Sequence, residues 1–178
     1  MFTEQILKSI LSLKTFSTTA RANRPALEGI HISVDAANRT ITALATDAYA
    51  VARMTIAVPE CAGESWSRNV SIATLNAALA SIKAGGTVSV FPEAYMPEYP
   101  IGVSDIIDKF VNSENTPDSG DFNAKYLGAL AKINVGGDKS GRWAIHATAR
   151  DDRTVMVATA AYGSYEVAVT IAGLSPRG

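Results

Sequence analysis

The sequence predicts an α+β protein built from a repeated unit, in which an amphipathic helix precedes an antiparallel sheet. Two observations predict it. Residues 27–58 read as three successive strands, and residues 142–172 repeat that pattern near the other end of the chain. An apolar stripe with helical spacing precedes each set of strands. Because every helix and sheet must bury its apolar face against another layer, the two units are expected to share a core.

The first unit, residues 1–66, opens with a helix predicted over residues 3–14. Ile6, Leu7, Ile10 and Leu11 fall on one side of that helix. A strand follows in which Ile30, Ile32 and Val34 alternate with polar residues, a turn lies at residues 37–39, and further strands span residues 40–46 and 51–58.

The middle segment, residues 67–120, looks like an incomplete unit. Its helix is predicted from Ile72, Leu75, Leu79 and Ile82, which share one face, and it ends at Gly85-Gly86. TVSVF at residues 87–91 predicts a short strand. The proline-rich stretch that follows predicts an ordered loop or linker with one short element near Ile106.

The last unit, residues 121–178, repeats the order of the first. A helix is predicted over residues 123–133, followed by strands at 142–149, 153–160 and 164–172. At a shift of 114 to 115 residues, NRTITALATDAY aligns with DRTVMVATAAYG and MTIA aligns with VTIA. Agreement of turn, strand lengths and helix order indicates a duplication.

Composition excludes several classes of protein. The 16 basic and 17 acidic residues nearly cancel, so any nucleic-acid contact depends on local charge. The single cysteine, Cys61, rules out an internal disulfide and fits a cytoplasmic protein. Glu4 argues against a transit peptide. No apolar run approaches the roughly 20 residues that a membrane span requires.

No residues suggest catalysis, a metal site or a cofactor. The two histidines, His31 and His146, lie at outward positions of alternating strands and lack a neighbouring nucleophile and carboxylate. Glu28 and Asp151-Asp152 are imaginable acid or base groups, but Asp is common in turns for backbone reasons. GGDKSG at residues 136–141 lacks the Gly-Lys pair and following helix of a phosphate loop. We therefore expect a protein that is not an enzyme.

Basic residues accompany all three predicted helices. Such lysines are ordinary on solvated helix faces and suggest function only if the helices share one surface. These basic residues are Lys8, Arg21, Arg24, Arg68, Lys83, Lys125 and Lys132.

Three stretches resemble the bacterial type of DNA polymerase sliding clamp, the DNA polymerase III beta subunit. RPALEGIHISVDAANRTITALATDAYAVARMTIAV is similar to the R-P-x-L-x-G opening and T-A-T-D-x-x-R-L-A strand end of its central domain. YMPEYPIGV resembles its F-P-D-Y junction, and FNAKYLGALAKI resembles the helix that opens its last half-domain. The resemblance implies the DNA-clamp fold, with about one and a half clamp domains in this chain.

That family implies a homo-oligomeric ring around double-stranded DNA. Helices would face the bore, and the basic residues named above are the candidate DNA-binding residues, which would touch phosphates without reading sequence. The sheets would form the outer wall. A DNA polymerase or another clamp-binding protein would be tethered to the ring. This chain has about half the family's length, which suggests a phage or mobile-element protein. Twelve bore helices would require four chains if each supplies three helices, and six chains if each supplies two.

The family's partner-peptide pocket maps onto three regions of this chain. Its T-D-x-x-R-L element falls on residues 46–51, where Ala50 replaces the family arginine, and its usual M-P-M-R-L ending is replaced by VAVTIAGLSPRG. These departures make peptide binding the least secure part of the resemblance. The candidate pocket residues are Thr46, Ala48, Tyr49, Val51, Pro97, Tyr99, Val167 and Val169.

A second class of function stays open at this point. The shortened middle segment also fits a clamp-like interaction module that docks on a host clamp or its partners and regulates replication without encircling DNA. A hydrolase using Asp47 or Asp151 is the third alternative, and no converging set of groups supports it.

Overall fold

Two helix-and-meander units join into one continuous antiparallel sheet. The computed structural model describes residues 2–61, 63–91, 97–100, 102–112, 122–137, 142–150 and 153–173. Three short 3-10 helices lie between the first helix and the first strand. The elements are α1 Glu4–Ser12, β1 Gly29–Asp35, β2 Thr40–Thr46, β3 Ala50–Ala57, β4 Trp66–Ser71, α2 Ile72–Lys83, α3 Val103–Val111, α4 Ala124–Leu130, β5 Ala144–Arg150, β6 Arg153–Tyr162 and β7 Tyr165–Ala172.

Helix α1 begins at a side-chain cap and buries its apolar stripe. The hydroxyl of Thr3 accepts a hydrogen bond from the backbone N–H of Ile6 at 3.2 Å, which satisfies one of the free donors of a helix start. A 3-10 turn, Leu13–Phe16, continues the helix and places Leu13 and Phe16 in the core. The helix predicted over residues 3–14 is confirmed.

The first meander follows the predicted alternation. Asp35 stabilises the turn between β1 and β2 by accepting hydrogen bonds from the backbone N–H and the side chain of Asn38. Arg39 closes that turn with φ at 54°, the left-handed region that Asn and Gly favour more than Arg. Strands β1, β2 and β3 then pair in order, as the sequence predicts.

Strand β4 was not predicted as a strand. Residues 69–71 look like the lead-in to α2, because Arg68 and Asn69 interrupt an apolar pattern. In the structure β4 pairs antiparallel with residues 29–34 of β1, and Ser71 then caps α2 by accepting from the N–H of Thr74. Pairing with β1, which is a tertiary contact, overrides the weak local pattern.

The strand predicted at residues 87–91 is wrong. Val88 makes only an isolated antiparallel bridge with Phe2. The short element predicted near Ile106 is confirmed as helix α3. Helix α4 ends three residues before the predicted Ile133, although Ile133 is buried as expected. Residues 138–141 of the glycine-rich loop, and Asp151-Asp152, lie outside the described residues.

The second meander adds to the first through β7. The seven strands run in the order β4-β1-β2-β3-β7-β6-β5. Pairing of β3 with β7 spans seven residue pairs, from Ala50↔Ile171 to Ile56↔Tyr165. The last strands of the two meanders therefore form the junction between the units.

Helices cover the two faces of this sheet unequally. The main core contains buried residues from α1, α2 and α4 together with one side of β1, β2, β3, β6 and β7; we call this the inner face. Helix α3 packs on the opposite, outer face and buries a second apolar group, which we call the outer cluster: Leu27, Leu44, Val51, Tyr99, Val103, Ile107 and Ala168. Three helices thus share one side of the sheet.

Candidate functional site

Lysines of α1 and α2 lie on the solvent side of the helix layer. The ammonium of Lys8 contacts the carboxylate of Glu4 at 2.7 Å, one turn earlier, and both side chains are more than 40% exposed. The hydrogen bond from Lys8, together with the nearby charge of Lys83, lowers the pKa of Glu4. Exposed pairs of this kind are weak, so both lysines can exchange Glu4 for another anion.

Lys125 of α4 is more strongly engaged. Its ammonium lies 3.1 Å from the Asp47 carboxylate and 4.4 Å from the centre of the Tyr126 ring. Lys132, in the turn after α4, is exposed. Of the predicted DNA contacts, Lys8, Lys83 and Lys132 therefore present accessible charge, whereas Lys125 is partly neutralised.

Arg68 does not have the predicted placement. Its guanidinium donates to the backbone carbonyl of Phe91 and lies 5.8 Å from the Trp66 ring centre. These contacts fasten the chain beside β4, which is a structural role. Arg21 and Arg24 are exposed in the connection that runs from the helix layer to Leu27 of the outer cluster.

Sequence reasoning missed Lys14 as a member of the lysine set. Lys14 is exposed in the 3-10 turn that directly continues α1. Its neighbours Leu13 and Phe16 are buried in the main core, so this turn belongs to the helix layer. The helix predicted from the sequence already extended to residue 14, and this was the signal that could have added Lys14 to the set.

Asp47 organises the turn between β2 and β3. Its carboxylate accepts hydrogen bonds from the Tyr126 hydroxyl at 2.7 Å and from the backbone N–H groups of Tyr49 and Ala50. Burial alone would raise the pKa of Asp47, but the hydrogen bonds from Tyr126, the two N–H groups and Lys125 together hold it below its ordinary value. Asp47 thereby joins the turn to α4.

The first half of the predicted pocket lies at this same turn. The hydroxyl of Thr46 donates to the Ala50 carbonyl at 2.7 Å and accepts from the Ala48 N–H at 3.0 Å. Ala48 has φ at 77°, which costs a residue with a Cβ some strain. Tyr49 is 64% exposed. Thr46 and Ala48 shape the turn, and Tyr49 is free to contact another molecule.

Val51 and Tyr99 do come together, but α3 covers them. Both belong to the outer cluster, into which α3 inserts Val103 and Ile107. The Tyr99 ring stacks on His31 at 5.0 Å between ring centres. Burial raises the pKa of Tyr99 and lowers that of His31. The outward position predicted for His31 is confirmed, although Tyr99 covers it.

Val167 and Val169 lie on the wrong face for the predicted pocket. Both point into the main core, whereas Ala168 between them contacts the outer cluster. Because side chains alternate along a strand, an alignment one residue out of register reverses the face. Pro97 is exposed, and its carbonyl accepts from the Asn69 side chain at 3.2 Å.

An open cleft lies beside α3 on the outer face. Arg53 borders it and holds α3 through a 2.7 Å ion pair with Asp108 and a hydrogen bond to Ser104. The cleft has a volume of about 510 Å³. The lining residues are Arg53, Thr55, Val111, Arg142, Trp143, Ala144, Thr159, Ala160, Ala161, Glu166, Val167 and Ala168.

The described residues contain no group of three or more His, Cys, Asp or Glu side chains placed to hold a metal ion. Cys61 is a half-buried free thiol. No helix in the described part of the chain is long and apolar enough to cross a membrane.

Solved structures of other proteins share this architecture. A Helicobacter pylori beta clamp superposes with a TM-score of 0.60 at 9% identity, over 97% of this chain and 64% of that chain. The fold is that of the bacterial beta clamps. The Pseudomonas aeruginosa DNA polymerase sliding clamp gives 0.57 at 12% identity, over 98% and 66% of the two chains. The DNA polymerase III beta subunit of Thermotoga maritima gives 0.57 at 10% identity, over 99% and 65%.

The chain spans only about two thirds of the length of these clamps. This coverage agrees with a shortened clamp fold of about one and a half domains. No protein-family model matches the sequence, and no curated protein matches it. At identities this low, the similarity establishes the fold and leaves function to be argued from the chain itself.

Proposed function

We propose that this protein is a sliding clamp that assembles as a homo-oligomeric ring around duplex DNA and tethers a replication protein to it. The observation that carries this proposal is the gathering of α1, α2 and α4 on one face of the sheet. A ring built with that face inward presents helices to the duplex and leaves the sheet as its wall. The protein holds its partners in place and catalyses no step itself.

The charges of the helix layer suit a sliding contact. Lys8, Lys14, Lys83 and Lys132 are exposed there, on flexible side chains that act as point charges. Such contacts with phosphates are independent of sequence and sensitive to salt. The overall charge of −1 is no obstacle, because acidic residues such as Asp105 and Asp108 are exposed on α3, on the outer face.

The helix count favours four chains. Among the described residues of each chain, α1, α2 and α4 lie on the inner face, and the resemblance implies twelve helices in the bore of a clamp. Four chains of 18.7 kDa would then close the ring. A tethered replication protein would bind the outer face, because DNA would occupy the inner one. The cleft beside α3 is the surface available there, and Tyr49 is exposed at the turn between β2 and β3.

Charge removal on the two faces tests DNA contact. In Lys8→Gln/Lys83→Gln, two inner-face charges are lost without removing the cation beside Asp47, as a change at Lys125 would. Each phosphate contact contributes about 0.9 to the slope of log K against log salt, so the slope should fall by roughly 1.8 for each chain whose two lysines contact the duplex. The measurement is duplex binding by anisotropy across a salt series.

The matched control is Lys109→Gln/Arg142→Gln, which removes two charges from the outer face. Its salt slope should equal that of the unaltered protein. If Lys8→Gln/Lys83→Gln gave the same salt slope as this control, the helix layer would not face DNA, and the proposal would fail. A host-clamp docking module would give that result together with binding to the host clamp.

A further inference from the structure

The cleft beside α3 has a floor made by four adjacent strands. Ala168, which belongs to the outer cluster, pairs with Arg53 of β3 on one side and with Thr159 of β6 on the other. Thr159 pairs in turn with Ala144 of β5. Because directly paired residues point to the same side of a sheet, these four residues form one row across the outer face. Three of them have small side chains, which leave the cleft open above the sheet.

Two larger apolar side chains border this floor. Val111, the last residue of α3, lines the cleft and packs in part against the outer cluster. Trp143, directly before β5, also lines the cleft and is half-buried. Aromatic rings favour edge-to-face or offset contacts with one another, so the indole of Trp143 can hold a ring of another molecule over the small floor. The volume of about 510 Å³ lies within the range of roughly 300–1,000 Å³ that is typical of binding sites.

The cleft contains two guanidinium groups, of which one already binds a carboxylate. Arg53 pairs with Asp108 at 2.7 Å. Arg142 is exposed at the cleft, and none of the ion pairs within the described ranges involves it. Glu166 also lines the cleft, but it belongs to β7, and β6 separates β7 from the strand that follows Arg142. The guanidinium of Arg142 is therefore available to a carboxylate of another molecule, the group that its planar donors fit best.

We propose that the cleft beside α3 binds a short extended segment of a partner protein in which an aromatic and an acidic residue lie two positions apart. Such residues point to the same side of an extended chain, roughly 7 Å apart. Arg142 likewise precedes Ala144 by two residues. An aromatic ring that rests on Ala144 and Thr159, beside Trp143, thus brings the carboxylate to Arg142.

A segment of a protein suits this cleft better than a small molecule does. Sites for small molecules enclose most of their ligand, whereas this cleft is open along the outer face. A larger partner can make further contacts outside the cleft, for example with Ile106 of α3, which is partly exposed. The site also differs from the pocket predicted from the sequence, because Val167 alone among those predicted residues lines the cleft.

This inference deepens the proposed function and rests on it only for the nature of the partner, a replication protein held on the outer face. Binding of the segment itself requires neither DNA nor a closed ring. The cleft and the ring can therefore be tested separately.

Two synthetic peptides with blocked ends and a fluorescent label serve as probes. One has the core Asp-Ser-Phe-Ser-Asp, which offers a carboxylate on either side of the ring, and the other has Asn in place of both Asp residues. Fluorescence anisotropy is measured without DNA. We expect the Asp peptide to bind about tenfold more tightly, as one hydrogen-bonded contact between charged groups predicts. In Arg142→Gln the two peptides should bind equally.

Lys109→Gln is the matched control, because Lys109 is an exposed cation of α3 that does not line the cleft. It should keep the preference for the Asp peptide. A preference that persists in Arg142→Gln, or that disappears equally in Lys109→Gln, would overturn the proposal. Absence of binding by both peptides would overturn it as well.

Filling the floor gives a second readout. Ala144 is exposed, so Ala144→Phe should leave the circular dichroism of the chain unchanged while it abolishes binding of both peptides. Tyr49→Ala, which removes an exposed aromatic ring at the turn between β2 and β3, should keep binding. The reverse pattern would place the peptide at that turn and overturn the proposal.

Native mass and DNA retention separate the remaining outcomes. A lower native mass for Ala144→Phe in light scattering would show that a second copy of the chain fills the cleft, which would contradict the proposal. Peptide binding that depends on Arg142, together with no salt-dependent DNA retention, would support the cleft and contradict the ring. DNA retention without peptide binding would overturn the cleft and leave the ring standing.

Discussion

Replacing Tyr126 by phenylalanine tests whether Asp47 joins the turn to α4. The lost bond is a 2.7 Å contact between a hydroxyl and a carboxylate whose side chain is only 13% exposed. Hydrogen bonds to charged groups contribute about 1.5–3 kcal/mol. Two backbone N–H groups and Lys125 still bind Asp47 in the variant. We therefore expect Tyr126→Phe to lower the free energy of unfolding by about 2 kcal/mol at pH 7.

The pH dependence of this loss carries the sharper test. The pKa of Asp47 is lowered in the folded protein, so its contribution is present above the unfolded value of about 3.9 and disappears as pH falls through the folded pKa. Losing the Tyr126 bond raises that folded pKa towards the unfolded one. The difference between the two proteins should thus be constant at pH 6–7 and shrink below about pH 4.

The assay is urea unfolding followed by circular dichroism at pH 7 and at pH 3. Tyr162→Phe is the control, because Tyr162, the last residue of β6, is exposed, and its change should stay within about 0.5 kcal/mol. A loss for Tyr126→Phe below about 0.5 kcal/mol at pH 7, or an equal loss at both pH values, would refute the role assigned to Asp47.

Three further changes probe the fold. Ile107→Ala should cost about 2–5 kcal/mol, because Ile107 is fully buried between α3 and the outer face; unaltered urea midpoints would contradict that packing. Ser71→Ala should cost about 1 kcal/mol by removing the cap that accepts from the Thr74 N–H, and a neutral effect in thermal unfolding would show the cap to be dispensable. Gly136→Ala should destabilise the chain, because φ is 61° and the added Cβ would lie 2.6 Å from the Tyr165 ring; a raised melting temperature would count against that contact.

Local patterns were sufficient to predict most of the fold. The helices, both meanders and the duplication follow from apolar spacing and turn residues, which act over short distances along the chain. Strand β4 was missed because its inward-facing Arg68 donates a hydrogen bond to the carbonyl of Phe91, which lies 23 residues further along the sequence. The placement of α3 on the outer face also depends on tertiary packing, since its stripe of Val103 and Ile107 would fit either side.

The site was predictable to a smaller extent. The exposed lysines on the helices could be predicted from their positions in the sequence, because a solvent-exposed helix face depends on no tertiary contact. The pairing of Lys125 with Asp47 joins residues 78 positions apart, and no periodicity reports such a contact. Val51 and Tyr99, which were predicted to lie together, both belong to the outer cluster. The alignment of short motifs selected Val167 and Val169 on β7, which face the main core, whereas Ala168 between them faces the outer cluster.

Topological retention on DNA tests the central claim most directly. The assembled protein is threaded onto linear duplex with free ends, both ends are then blocked by bound streptavidin, and the sample is challenged with high salt, which weakens phosphate contacts. A ring around the duplex predicts that protein stays on blocked DNA and leaves as soon as a restriction cut frees an end. Equal release from blocked and open duplex would contradict encirclement by this chain.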